Sequence, residues 1–211
     1  MKVYGHRGYA ARHPHNSLAG VVAAFDAGAD GVEVDVRRTA AGDLVLSNAP
    51  LGAGAAPDRL VDVLDAARGR VVCEVKNVPG EPDFDAPAEA TAHLLVALLR
   101  DRPGADVTVS SFDWYAIDVA RAAGLRTAFL TPPPVTLGAA LAYVTGAGHA
   151  ECHVHWSGVL DDAGSVALAR DAGVEVVAWG VTEVETYAAL RDAGVSGVIA
   201  DDPAALLDDD R

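Results

Sequence analysis

The stretch RDAGVEVVAWGVTEVETYAALRDAGVSGVIA, residues 170–200, shows how this chain is organised. Apolar residues at 174–181 predict a strand, the Ala-rich amphipathic run 183–193 predicts a helix, and 197–200 predict a second strand. The repeated Asp-Ala-Gly-Val sequence places Gly173 and Gly194 where a left-handed glycine commonly ends a helix. A strand, a crossover helix and another strand make a parallel unit.

The same pattern ends helices at Gly28 and Gly124, and it predicts that the unit recurs along the whole chain. Eight alternating units favour a single compact (β/α)₈ TIM barrel over residues 1–211. The alternative is an open Rossmann-like sheet, but no GxGxxG follows the first strand. The predicted strands are Val3–His6, Gly31–Val36, Val71–Lys76, Val107–Phe112, Thr127–Leu130, Cys152–Trp156, Val174–Val181 and Gly197–Ala200.

Two segments interrupt this alternation. Asp43–Leu46 is a strand-like run that predicts a hairpin appended to the second strand. The stretch Asn77–Pro87 carries three prolines and three acidic residues, which predicts a loop after the third strand. In a barrel such loops lie at the C-terminal face, where active sites are built.

Composition limits the classes of partner. The net charge is −14, and a field of this sign repels nucleic acid, so we expect no nucleic-acid partner. No apolar stretch approaches a membrane span and no signal peptide is visible, so we expect a soluble cytoplasmic protein without stable membrane insertion. Cys73 and Cys152, the two cysteines, are predicted to be buried free thiols. The oligomeric state is left open.

Carboxylates cluster on two successive predicted strands. Alternate residues of a strand share a face, so Glu33 and Asp35 point the same way in Gly31-Val-Glu-Val-Asp-Val36, as do Glu74 and Lys76 in the next strand. A lone inward glutamate is often a core ion pair, but three converging carboxylates without cysteine suit a hard cation, Mg²⁺ or Ca²⁺.

An ordered set of motifs resembles the glycerophosphodiester phosphodiesterase family. Gly5-His6-Arg7-Gly8 ends the first strand, and His13-Pro14-His15-Asn16-Ser17 begins a helix in the manner of a Pro-Glu-Asn-Thr motif. Glu-x-Asp and Glu-x-Lys follow on the next two strands. Further along the chain the likeness continues in Ser110-Ser111-Phe112, Trp179 and Ala200-Asp201-Asp202-Pro203.

The resemblance implies a role for each matching residue. Glu33, Asp35 and Glu74 would be the metal ligands, and His6 one of two acid/base histidines. The phosphodiester oxygens would be held by Arg7 and Lys76, and Trp179 would be an apolar wall or a plain core residue. Ser111 and Asp201, at strand ends, are weaker candidates for lining the same mouth.

The chain departs from the family pattern at its second catalytic histidine. Asn48 stands in that place, and asparagine cannot transfer a proton near neutral pH. His15 replaces the glutamate of the helix-start motif, and we hypothesise that His15 or His13 supplies the lost proton donor. The alternative is that both are surface histidines.

His153 and His155 form another same-face pair on the sixth predicted strand. Contact with the substrate or hydrogen-bonded burial is a better interpretation of the pair than zinc binding, because spacing nominates no third ligand.

The resemblance therefore implies metal-dependent hydrolysis of a small glycerophosphodiester to sn-glycerol 3-phosphate and an alcohol, with altered acid/base residues. Two alternatives remain at this point. One is a catalytically impaired relative that binds a phosphorylated ligand, and the other is a different phosphate chemistry on the same barrel.

Overall fold

The structure, a computed structural model, describes residues 1–209 and forms a closed (β/α)₈ barrel. Eight strands pair in parallel, and the sheet closes because the first strand pairs with both the second and the last. These eight are β1 (Lys2–Gly5), β2 (Gly31–Arg38), β4 (Arg70–Val75), β5 (Val107–Ser111), β6 (Arg126–Leu130), β7 (Glu151–His155), β8 (Glu175–Val181) and β9 (Gly197–Ala200). The short β3 (Leu44–Leu46) pairs antiparallel with β2, which confirms the predicted hairpin.

Helices connect the strands over the outside of the barrel. The predicted glycines at 28, 124, 173 and 194 all adopt positive φ next to a helix end, as the sequence pattern requires. At the other end, the side chains of Ser17, Asp113 and Thr136 cap helix N-termini. The helices are α1 (Leu18–Asp26), α2 (Leu60–Ala66), α3 (Ala90–Arg100), α4 (Trp114–Ala122), α5 (Leu137–Ala147), α6 (Trp156–Leu160), α7 (Ser165–Asp171), α8 (Val184–Ala193) and α9 (Pro203–Asp209).

The two faces of β2 have different surroundings. Val32, Val34 and Val36 are fully buried in the layer between strands and helices, where they join residues of α1 and α2. The carboxylate-bearing positions between them point into the barrel. The interior has its own small apolar cluster, Tyr4, Val72, Val177 and Ile199. The predicted alternation of faces is therefore confirmed.

Several predicted strands end one residue early. His6, Lys76, Phe112 and Trp156 lie just past the ends of β1, β4, β5 and β7 rather than inside them. They are therefore at the C-terminal face, where loops begin. Residues 77–87 are a loop, as predicted. Among the described residues, no helix has the length and apolar character needed to cross a membrane. Cys73 and Cys152 are buried and free.

Candidate active site at the mouth of the barrel

Three carboxylates converge inside the C-terminal end of the barrel. Asp35 lies opposite Glu74 in the parallel register of β2 and β4, and Glu33 is one pleat below on the same face of β2. One oxygen from each of the three lies within 4.8 Å of the others. The predicted convergence of Glu33, Asp35 and Glu74 is thus what the barrel produces.

Their mutual repulsion and burial shape the electrostatics. Burial, reinforced by the charge of Asp35, raises the pKa of Glu33 to about 8. Burial also raises the pKa of Glu74, although the charge of Lys76 acts in the opposite direction. The Oε1 atom of Glu33 is buried and has no hydrogen-bond partner. A buried acceptor without a donor, beside two further carboxylates, fits the oxygen ligand set of a hard divalent cation.

Two cations lie directly beside the carboxylates. The Nζ of Lys76 is 3.0 Å from Asp35 Oδ1 and 2.6 Å from Glu74 Oε1. Burial alone lowers the pKa of Lys76, but these two carboxylates raise it overall, so the side chain is charged. The Nε of Arg7 is 3.0 Å from Asp35 Oδ2. Both predicted phosphate-holding cations therefore border the acidic cluster.

A sharp turn after β1 aims the backbone of Arg7 at this cluster. Arg7 has a φ of 49° and Gly8 a φ of 86°. At Gly8 a side chain would also come within 2.7 Å of the Gly20 backbone, so only glycine fits. The turn brings the Arg7 amide to donate to Glu33 Oε2 at 3.0 Å. Strained backbone at non-glycine positions is typical of functional sites.

Asn16 positions Asp35, a role that sequence reasoning did not assign. The Asn16 side chain donates to Asp35 Oδ2 at 2.8 Å, and its oxygen accepts from the Asp35 amide at 2.9 Å. Asn16 is buried and has a φ of 55°. The signal was available, since Asn16 is the asparagine of the helix-start motif.

His6 and Asp201 form an ion pair at the rim. The Nδ1 of His6 is 2.5 Å from Asp201 Oδ1, and its Nε2 is 3.9 Å from Glu33 Oε2. Burial lowers the pKa of His6, but the hydrogen bond to Asp201 and the charge of Glu33 outweigh burial and raise it. The same hydrogen bond lowers the pKa of Asp201. Asp201 thus fixes the ring, leaving Nε2 to face the carboxylates.

A cavity of about 270 Å³ is lined by six of these residues, His6, Arg7, Glu33, Glu74, Lys76 and Asp201. Trp179 forms part of its wall, as predicted, and the indole donates to the Thr131 carbonyl at 3.2 Å. The polar side of the cavity carries the charged groups already described together with Ser110 and His153. A cavity of this kind, apolar on one side and charged on the other, is typical of small-molecule sites.

His153 is hydrogen-bonded to a buried glutamate, Glu151. Its Nε2 lies 2.9 Å from Glu151 Oε2, while its Nδ1 is buried without a partner. Glu151 is also bonded by Thr108, Arg126 and Arg70. Sequence reasoning missed Glu151, although the Glu-x-His spacing on β7 puts the two side chains on one face.

Three predicted residues lie outside the cavity. Asn48 is exposed, and only its backbone carbonyl is engaged, accepting from Arg37 at 2.7 Å. His15 is exposed at the rim, 3.4 Å from Arg7 Nη1. The ring of His155 packs edge-to-face against Trp179, and His155 hydrogen-bonds Ser157 at the start of α6.

The remaining two candidates also lie elsewhere. His13 packs against Tyr9, with ring centres 6.0 Å apart. The Ser111 hydroxyl donates to the Val75 carbonyl at 2.7 Å, beside a neighbouring groove.

Comparison with known families identifies the chain. The profile of the glycerophosphoryl diester phosphodiesterase family matches residues 6–49 and 59–205. The chain belongs to this family. Membership in the glycerophosphoryl diester phosphodiesterase family makes phosphodiester hydrolysis its class of reaction. The matched ranges contain the metal-ligand candidates, both cations and His6. A comparison with curated protein sequences gives no match.

Solved structures show the same fold. A putative glycerophosphoryl diester phosphodiesterase from Silicibacter pomeroyi is 23% identical with a TM-score of 0.83, and the alignment covers 99% of this chain and 93% of that one. A phosphodiesterase from Oleispira antarctica, in complex with the product sn-glycerol-3-phosphate, is 19% identical with a TM-score of 0.84 over 99% and 96%. The Thermotoga maritima glycerophosphodiester phosphodiesterase is 22% identical with a TM-score of 0.79 over 99% and 97%.

Proposed function

We propose that this chain hydrolyses a glycerophosphodiester to sn-glycerol 3-phosphate and an alcohol, with a divalent cation, Mg²⁺ or Ca²⁺, held by Glu33, Asp35 and Glu74. The observation that carries the proposal is the meeting of these carboxylates within 4.8 Å, beside Arg7 and Lys76. The Oleispira relative, which has the same fold, is in complex with that product.

Each residue has a role that its geometry supports. Glu33, Asp35 and Glu74 would hold a divalent cation, which would supply positive charge for the phosphoryl oxygens and would acidify a hydroxyl nucleophile. Arg7 offers a guanidinium fork for two phosphoryl oxygens, and Lys76 adds a second positive charge. His6, oriented by Asp201, transfers a proton through Nε2. His153 presents Nδ1 to a substrate hydroxyl, and Trp179 covers the carbon skeleton.

The mechanism needs a second group that transfers a proton, in addition to His6. We propose His15 for it, because His15 lies at the rim within 3.4 Å of Arg7. Replacing His15 with alanine then lowers kcat by about 10²-fold or more, as the His6→Ala change does. Full activity of His15→Ala alongside an inactive His6→Ala removes His15 from the mechanism.

The direct test measures sn-glycerol 3-phosphate released from glycerophosphoethanolamine, with Mg²⁺, with Ca²⁺ and with EDTA. We expect metal-dependent release that Glu33→Gln abolishes. The matched control is Glu185→Gln, at an exposed glutamate in the first turn of α8, which leaves release unchanged. Release that persists in EDTA and in Glu33→Gln contradicts the proposal.

The histidine lost at position 48 favours one alternative, a relative that binds a phosphorylated ligand without turnover. Thermal stabilisation by metal and glycerophosphodiester with no product formed supports that alternative. The Asn48→His variant separates the two. If the loss of that histidine alone impairs the protein, the variant raises turnover by up to about 10²-fold, whereas ligand binding with no turnover in either form supports the binding alternative.

A further inference from the structure

A second, larger cavity adjoins the active site. This apolar groove has a volume of about 550 Å³ and lies between the loop 77–87 and the start of α4. Glu74, Lys76 and Phe112 border both the groove and the 270 Å³ cavity. A phosphodiester bound at Lys76 can therefore place one of its two ester groups in the smaller cavity and the other along the groove.

Exposed apolar side chains concentrate in this groove. Seven large apolar residues are exposed in the described part of the chain, and five of them line it: Val78, Phe84, Phe112, Trp114 and Tyr115. Single exposed apolar residues scattered over a surface need no explanation, whereas a contiguous patch marks a binding surface. The concentration of apolar side chains beside Lys76 indicates that the patch contacts the substrate.

The loop wall of the groove is rigidly anchored. Arg37, which is fully buried, donates two hydrogen bonds of 2.9 Å to Asp83 and one of 2.5 Å to Glu81. These bonds hold the loop that carries Val78 and Phe84. Such a site loses little conformational entropy when a ligand enters, because its wall is already ordered.

Two aspartates that line the groove have contacts within the protein. Asp113 accepts from the Tyr115 amide at 3.0 Å with one oxygen and from Asn77 at 2.8 Å with the other. Asp118 lies 3.7 Å from Arg121 and 3.8 Å from His149. Both aspartates therefore have partners within the protein, and most of the remaining lining of the groove is aromatic and aliphatic.

We propose that the groove holds the alcohol part of the substrate, and that this alcohol carries an extended, uncharged apolar group. The inference rests on the proposed function, because it places the phosphate at Lys76 and the glycerol in the smaller cavity. That cavity has the hydroxyl-binding groups Ser110 and His153, whereas the groove offers apolar walls. The preferred substrate is thus an alkyl or aryl ester of glycerol phosphate rather than a cationic one.

The test uses sn-glycerol 3-phosphate esterified with ethanol, butanol, octanol or choline, each below its micellar concentration. We expect kcat/KM to rise from the ethyl to the octyl ester, by up to about fourfold for each methylene that is buried. The choline ester should resemble the ethyl ester. Equal kcat/KM across the alkyl series, or a choline ester preferred over the octyl ester, overturns the inference.

Two variants test whether the groove causes the dependence of kcat/KM on chain length. Phe84→Ser removes an apolar wall on the loop and should flatten the dependence of kcat/KM on chain length. Leu168→Ser changes an exposed apolar residue on α7 that does not line the groove, and should leave the whole series unchanged. A Phe84→Ser enzyme that keeps the full dependence on chain length contradicts the assignment of the groove.

Calorimetric titration with n-octyl phosphate and ethyl phosphate separates this inference from the proposed function. Tighter binding of octyl phosphate, weakened by Phe84→Ser, supports the groove even if no ester is hydrolysed, in which case the proposed function fails alone. Equal binding of the two phosphates by an enzyme that does hydrolyse the esters overturns the groove alone.

Discussion

Replacing Glu33 with glutamine should stabilise the metal-free protein at alkaline pH. The pKa of Glu33 is about 8 in the folded chain, against an ordinary value of 4.5. Between these values the folded state retains a proton that the unfolded state has lost, so the free energy of unfolding falls as pH rises. At about 1.4 kcal/mol for each tenfold change in proton affinity, the full effect is roughly 5 kcal/mol.

Nearly half of this effect on the free energy of unfolding lies between pH 6 and pH 8. Between pH 6 and pH 8 the metal-free wild type should lose roughly 2 kcal/mol of unfolding free energy because of Glu33. Glu33→Gln cannot lose a proton there, and its amide oxygen can still accept from the Arg7 amide. The difference in midpoint temperature between Glu33→Gln and the wild type should therefore grow by about 4–8 °C from pH 6 to pH 8.

Urea denaturation in EDTA at pH 6, 7 and 8 measures the effect for the wild type, Glu33→Gln and the exposed control Glu185→Gln. The control should follow the wild type. Parallel losses of stability in the wild type and Glu33→Gln would refute the reasoning, since they would mean that Glu33 does not hold the proton. Stability gained by removing a buried charge, together with activity lost, is expected of a functional carboxylate.

Three further predictions concern the same groups. Because the pKa of Glu33 is about 8, Mg²⁺ affinity in calorimetry should rise about tenfold from pH 6 to pH 7 as its proton is displaced, and an affinity independent of pH would contradict this. Asp201→Asn should lower the pKa of His6, so the limb of the pH–rate profile that reports His6 should move to lower pH, whereas a fixed limb would exclude the coupling. In Glu151, hydrogen bonds from His153 and its other partners outweigh burial and lower the pKa from 4.5 to about 2. Glu151→Gln should therefore cost about 3 kcal/mol in urea unfolding at pH 7, with the wild-type advantage lost as pH falls from 4.5 towards 2, and a cost below about 1 kcal/mol would contradict the network.

Regular periodicity made much of the site predictable. Glu33 and Asp35 are two residues apart in a strand, so their shared face follows from the pleat alone. Glu74 and Lys76 repeat the pattern on the next parallel strand, and parallel strands bring their C-terminal ends to one edge. The carboxylate cluster and its flanking lysine therefore follow from local geometry and strand order.

The rest of the site depends on contacts between distant segments. His6 is oriented by Asp201, 195 positions away, and nothing in either local sequence indicates the pairing. Asn48, which the sequence motifs match to a histidine of the family pattern, is exposed, and its carbonyl accepts from Arg37, which also pairs with the loop 77–87. Such positions depend on loop paths, and no periodicity governs those.

The amino-acid sequence by itself determined the barrel, the facing of its carboxylates and the family, because each follows from a pattern repeated along the chain. Only the tertiary structure decided that His6 and His153 line the cavity, that Glu151 hydrogen-bonds His153, and that an aromatic groove adjoins the cavity at Lys76. The physical reason is that strand and helix periods are properties of neighbouring residues, whereas a cavity exists only where loops from separate units close around one space.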